Sequence, residues 1–276
     1  MAEASAGHRQ HRYSVFAFLF VLFVSFVFPA LDAALTADLY RAPGGVITIT
    51  PFIHSSIQIE HAGRVIHVDP WSQGDLSAAR QADLILITDD PGHHLDIKAI
   101  ARVRKEGAPI VIPRGVGVTP SALTAVPDGI PMGNGETREV AGVRVDAIAA
   151  YDLTPGEPYH PKGEANGYVL TIAGARLYVA GVTECVPEIR ALKNVDVAFF
   201  PLNLPLARME PDAAAACLKG LAPKVVYPYH YDQDWVAAIG RGQPRPAPTT
   251  RSLNELKTAL KPSGIEVRLA EWYPAQ

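Results

Sequence analysis

Residues 85–96 read ILITDDPGHHLD: an apolar run that breaks into Asp89, Asp90, His93 and His94, with Pro91 and Gly92 among them. Acids and histidines gathered just after a strand can hold a divalent ion or serve as an acid–base pair. Pro91 offers no ligand atom. Another histidine, His230, closes the apolar run KVVYPYH. Other catalytic signatures are missing. There is no G-x-S-x-G elbow, no P-loop and no G-x-G-x-x-G opening a helix, and Gly115-Val116-Gly117 is too short to cradle a phosphate.

Both histidine loops need strands to hold them. ADLILIT, APIVIP, VDVAFFPL and KVVYPYHY are short apolar runs that read as buried strands. GGVITITPF alternates and is β-branched. Three hairpins are expected, turning at Ala62-Gly63, Ala141-Gly142 and Ala173-Gly174. IKAIARVRKEG has helical spacing and ends on Gly107; EPDAAAACLKGL reads as a helix from Glu210-Pro211, and TRSLNELKTAL as one with a Thr/Ser start. Hairpins open each half and strand–helix alternation follows. Two sheets packed face to face with helices outside, in four layers, satisfy that order.

The chain has 276 residues and a formal charge of −3, which suits one large domain or two small ones and argues against a nucleic-acid partner. No internal repeat stands out in the residues. Cys185 and Cys217 are the only cysteines, neither in a CxxC, and the expectation is two free thiols. The N-terminus differs: after basic residues, Tyr13 to Leu31 carries no charge and six of the nine phenylalanines. This reads as an export signal or a retained membrane anchor, and either one places the body outside the cytoplasm. The expected division is a leader over residues 1–37 and a body over 44–276. Asp32 spoils a clean cleavage site in ALDAALTA.

Across residues 44–270 the blocks ITITPFIHSSIQIE, VIHVDPWSQGD, ADLILITDDPGHHLD, YHPKGEANGYVLTIAGARLYVAGVTECVPEIR and VVYPYHYDQD resemble the metallo-β-lactamase superfamily. They are most similar to the branch of metal-dependent hydrolases that includes L-ascorbate 6-phosphate lactonase. The resemblance implies an α/β fold, the four-layer αβ/βα sandwich of two mixed sheets with outer helices, and a site between the sheets that is often dinuclear zinc.

The motif here is altered. Asp89 matches the branch, but Pro91 stands where it has histidine and His93 where it has aspartate. The aspartate that bridges two metals is Val182. His94 and His230 match. Two dications about 3.5–4 Å apart repel unless an anion bridges them, so the resemblance implies at most one zinc, on His93, His94 and His230. Asp89, Asp90 and His93 are the candidate catalytic groups for cleaving an ester, lactone, amide or phosphoester in a small-molecule substrate. The alternative is a binding module whose polar residues line a metal-free cleft.

His54 matches a branch histidine that could contact substrate, and Asp69 an aspartate that braces the metal loop. His160 and Lys162 lie in a rim loop that could touch an anionic group. Thr183 and Glu184 are expected at a helix cap, Asn203 in a loop, and Trp71, Tyr229 and Tyr231 in packing. His61 and His67 belong to strands away from the cluster.

Overall fold

The computed structural model describes residues 1, 37–202, 206–231, 247–269 and 272. The chain divides into two compact units, Met1–Asp32 and Ala33–Gln276. Apart from Met1 the first unit, with the expected leader, lies outside the described residues, as does Asn203. Among the described residues no helix is long and apolar enough to cross a membrane.

The second unit is built on two seven-stranded sheets. The first holds β1 (Asp38–Ala42), β2 (Gly45–Ile53), β3 (Ser56–His61), β4 (Arg64–Val68), β5 (Leu84–Leu86), β6 (Ile110–Pro113) and β7 (Ile130–Met132) in that order. The second holds β8 (Thr137–Val140), β9 (Val143–Ala150), β10 (Ala165–Ile172), β11 (Ala175–Val179), β12 (Val197–Pro201), β13 (Val225–Tyr229) and β14 (Glu266–Val267). Each sheet begins with four antiparallel strands and continues with three parallel ones. The two halves thus share one strand plan that no residue repeat discloses.

Local chemistry accounts for the pairing. The hairpins turn on Ala62-Gly63, Ala141-Gly142 and Ala173-Gly174, and both residues of each pair have positive φ. That conformation matches the right-handed twist of the flanking strands. The helices are α1 (Ile97–Val103), α2 (Val118–Ala125), α3 (Pro187–Ala191), α4 (Pro211–Leu221) and α5 (Ala247–Leu260). In β5, Leu84 and Leu86 join the core between the sheets, while Ile85 and Ile87 pack with Ala99, Ile100 and Val103 of α1. Side chains alternate across a strand, so both faces are covered and the run is wholly apolar. Ala214, Leu218 and Leu221 of α4, with Leu253, Leu256 and Leu260 of α5, close the outside of the second sheet.

Several expectations are corrected. α1 ends at Val103, not at Gly107, because Arg104 turns extended and bridges Ala82. α5 begins at Ala247, ahead of the expected Thr/Ser start, and Thr249 is buried inside it. The sequence reading missed α2. Its first amides, Gly117 N and Val118 N, are satisfied by the Glu164 carboxylate at 2.8 and 3.0 Å, a cap too distant in sequence to be seen locally. Thr183 and Glu184 do not cap α3, whose first turn has no side-chain cap. Thr183 Oγ1 instead accepts from Tyr151 N, and the Glu184 carboxylate accepts from Leu153 N and Thr154 N.

The cysteines are not free thiols. Cys185 and Cys217 form a disulfide that ties the segment before α3 to α4 across 32 residues. Closing a loop of that length stabilises a fold by about 3–4 kcal/mol, chiefly by restricting the unfolded chain. The variant Cys185→Ser/Cys217→Ser should therefore unfold about 3 kcal/mol earlier in urea, and dithiothreitol should lower the parent to the same midpoint. Equal midpoints with and without reductant would show that the bond does not form.

Candidate metal centre

Four imidazoles meet where the ends of the two sheets face each other. His54 lies in the turn between β2 and β3, His93 and His94 in the loop before α1, and His230 directly after β13. The His54 and His230 ring centroids are 3.8 Å apart, those of His93 and His94 4.3 Å, and His94 stacks parallel to His230 at 5.2 Å. His54, His93 and His230 place ligand nitrogens within 4.8 Å of one another, the one such grouping among the described residues. His54, His94 and His230 are buried, and His93 is partly buried.

The backbone is bent to make this possible. His54, Asp69 and His230 have φ of +56°, +43° and +51°. Each such conformation costs a non-glycine residue about 1–2 kcal/mol, and histidine and aspartate bear it better than most. His230 N donates to His54 O at 3.1 Å, which joins the two loops across the sheets. Gly181 is required nearby: a Cβ there would stand 2.9 Å from Asn166 O.

Asp69 organises the histidine loop from below. Its carboxylate accepts from Thr88 N (2.8 Å), Thr88 Oγ1 (2.6 Å) and His94 Nδ1 (2.8 Å). With Nδ1 as the donor, His94 keeps a lone pair on Nε2, a buried atom with no hydrogen-bond partner. This carboxylate–imidazole arrangement is how proteins orient a metal-ligating histidine. Both ring nitrogens of His230 are likewise buried and unpartnered.

Burial sets the charge state. Desolvation lowers the His93 pKa to about 3 and that of His94 to about 4, and holds His54 and His230 well below the usual histidine value. The imidazoles are therefore neutral at physiological pH and present lone pairs, as a cation requires. Burial also pushes the Asp69 carboxyl up to about 7 against the donors from Thr88, and raises that of Asp89.

The structure brings His93 and His230 together, as the sequence reading expected of ligands. His54, read there as a substrate contact, converges with them, and His94 stands beside them. Asp69 has the bracing contacts expected of it. Asp90 faces away: its Oδ2 accepts from Ser121 Oγ at 2.5 Å. Asp89 is buried and faces His160 Nε2 at 3.8 Å. Lys162 is exposed, paired with Glu188 at 3.2 Å and placed over the Tyr151 ring. Trp71 packs on His54 and His93 at the mouth. Val182 is buried and apolar where the resemblance has a bridging aspartate. Tyr229 and Tyr231 are buried in the core, His61 donates to Val46 O, and His67 is buried on Phe52.

The family described as the beta-lactamase superfamily domain matches residues 48–230, from β2 through to His230. The chain belongs to the metallo-β-lactamase superfamily. A UPF0173 metal-dependent hydrolase of Thermococcus onnurineus is 30% identical over 191 residues, 65% of this chain and 82% of that one. A Parabacteroides distasonis protein crystallised as a candidate metal-dependent hydrolase is 35% identical, with a TM-score of 0.73 over 87% of this chain and all of its own. CmlA, a diiron β-hydroxylase of Streptomyces venezuelae, shares the fold alone: 14% identity and a TM-score of 0.64, over 85% of this chain and 52% of its own.

Superfamily membership leaves the donor set to be judged on its own. Converging neutral imidazoles, with the buried His94 Nε2 and both His230 nitrogens lacking a hydrogen-bond partner, fit one ion of the zinc class. They do not fit two, since Val182 and Pro91 contribute no ligand atom.

Four buried histidines and the partly buried His93 make the fold acid-sensitive. The four site residues and His67, whose pKa burial lowers to about 4, are neutral when folded and titrate near 6.5 when unfolded. Their stabilisation is full above pH 6.5 and is lost as pH falls toward 4. Asp69 and Asp89, raised by burial, oppose this but are fewer. Metal-free protein should lose at least about 3 kcal/mol between pH 8 and pH 4.5 in urea unfolding. His93→Asn should flatten that slope by about one proton, and an unchanged slope would contradict a neutral His93.

Proposed function

We propose that this protein is a single-ion metallohydrolase that cleaves an ester, lactone, amide or phosphoester bond in a small molecule. The observation that carries the reading is the convergence of His54, His93 and His230 on one point between the sheets, with His94 oriented on Asp69 beside them. A zinc-class ion bound there would polarise the scissile carbonyl or phosphoryl oxygen and activate water. The ligand set is neutral, so the ion's charge stays available to an anionic ligand or transition state. The His93 ring lies 6.0 Å from that of Trp71, which would flank a substrate bound at the ion. Asp69, acting through His94, supplies the only carboxylate hydrogen-bonded to the imidazole cluster among the described residues.

The second reading is a binding module without turnover. Pro91 and Val182 favour it, since both replace groups that a dinuclear centre needs.

The proposal extends to location. A Cys185–Cys217 disulfide suits an oxidising compartment, and the uncharged run Tyr13–Leu31 suits export with or without retention at the membrane.

Metal analysis after zinc dialysis should give close to one zinc per chain. His93→Ala and His230→Ala should each weaken retention at least tenfold. A parent that retains none would favour the binding module. The reversal Pro91→His/His93→Asp/Val182→Asp should raise the count toward two, and a count that stays at one would show that other features of the cleft exclude the second ion.

A further inference from the structure

Beside the imidazole cluster stands a group that the single-ion reading leaves idle. His160 sits between two carboxylates: Nδ1 is 3.4 Å from Asp152 Oδ1 and Nε2 is 3.8 Å from Asp89 Oδ2. Nδ1 lies within hydrogen-bond reach of Asp152, and Nε2 faces Asp89 at ion-pair distance. All three side chains are largely buried, at 13%, 1% and 8% exposure for His160, Asp152 and Asp89.

The loop that carries His160 is fixed at both ends. At one end, Asp152 Oδ2 accepts from Tyr159 N at 2.9 Å and His160 N at 3.1 Å, and Asp152 N donates back to His160 O. At the other, the Glu164 carboxylate accepts from Val116 N, Gly117 N and Val118 N. A Cβ at Gly115 would stand 2.6 Å from Glu164 Cα, so only glycine lets the loop seat there. Such anchoring at both ends is what a group held for chemistry requires. Asp90, the other acid of the motif, is committed to Ser121.

We propose that His160, held on Asp152, is a positioning residue that fixes Asp89 as the acid–base group of the site. The proposal rests on the hydrolase reading above. In ester or amide cleavage Asp89 takes a proton from the attacking water as the new oxygen–acyl bond forms. It returns that proton to the leaving oxygen or nitrogen as the old bond breaks. Burial holds the Asp89 carboxyl above the ordinary carboxylate range, which suits a group that both takes and returns a proton. His94, His160 and Asp90 are the charged or titratable groups that act on Asp89, and Arg208 acts on Asp152.

The test uses the full chain with carboxyl-13C aspartate, first metal-free, with the Asp89 signal assigned by Asp89→Asn. His160→Ala should raise the Asp89 titration midpoint, because the electrostatic effect of His160 on Asp89, which lowers it, is lost. His160→Gln, which keeps a hydrogen-bonding side chain but removes the imidazole, should do the same, and Asp152→Asn should raise it less. A midpoint unmoved in folded His160→Gln overturns the proposal. With zinc bound and p-nitrophenyl acetate as probe, the acid limb of the kcat/KM profile should move with the midpoint. An active parent whose limb stays fixed in His160→Gln also overturns it. A zinc-loaded parent with no hydrolysis removes the hydrolase reading itself, and the acid–base role of Asp89 with it.

Discussion

The backbone hydrogen bond from His230 N to His54 O joins the turn between β2 and β3 to the end of β13, one from each sheet. Both residues must adopt left-handed backbone to make it. Their rings are then delivered to the same point, 3.8 Å between centroids. Every other feature of the centre is arranged around that junction. Asp69, itself left-handed, holds Thr88 and His94 so that the histidine loop approaches from the first sheet. Gly181, just after β11, lets the chain pass close to Asn166 of the neighbouring β10 and to Thr88 after β5 of the first sheet without a side chain between them. The strain stored in these conformations is tolerated because buried hydrogen bonds determine the geometry from several sides at once.

The same junction explains the electrostatics. Burying four imidazoles side by side would be prohibitive if they were charged, so desolvation and their mutual repulsion keep them neutral. The unpartnered buried nitrogens of His94 and His230 are an unsatisfied arrangement in the absence of a cation. The fold therefore bears a cost at this point that a bound ion would relieve, and stability and ion binding are linked through the same side chains.

Much of this was legible in the residues. The Ala-Gly pairs gave the hairpin turns because positive φ at two successive positions selects few residue types. The buried strands showed as apolar runs because sheet and helices cover both faces. His93, His94 and His230 stood out by their place after strands. What was hidden depended on contacts distant in the chain. α2 was missed because its sequence, VTPSALTA, is a poor helix former, and its N-terminal amides are satisfied by Glu164 from another loop. The convergence of His54 follows from a turn conformation that no local pattern announces. His160 read as a rim-loop residue that could touch an anionic group, and only the fold shows carboxylates facing both of its nitrogens. The disulfide escaped because two cysteines 32 residues apart say nothing about distance in space.

Charge bookkeeping connects the altered motif to the proposed single ion. Relative to the dinuclear pattern, Val182 and His93 each stand where a carboxylate would be, so two negative charges are gone. Removing one dication removes two positive charges. A site that lost both together keeps its net charge, and the low-dielectric space between the sheets penalises any other outcome. A site that lost both ions would instead have kept an excess of buried imidazole with nothing to bind. In this chain the His93 ring lies against those of His54, His94 and His230. Under the single-ion proposal, Val182 removes the anion that would bridge two ions, and His93 puts a neutral ligand where the resemblance has an anionic one.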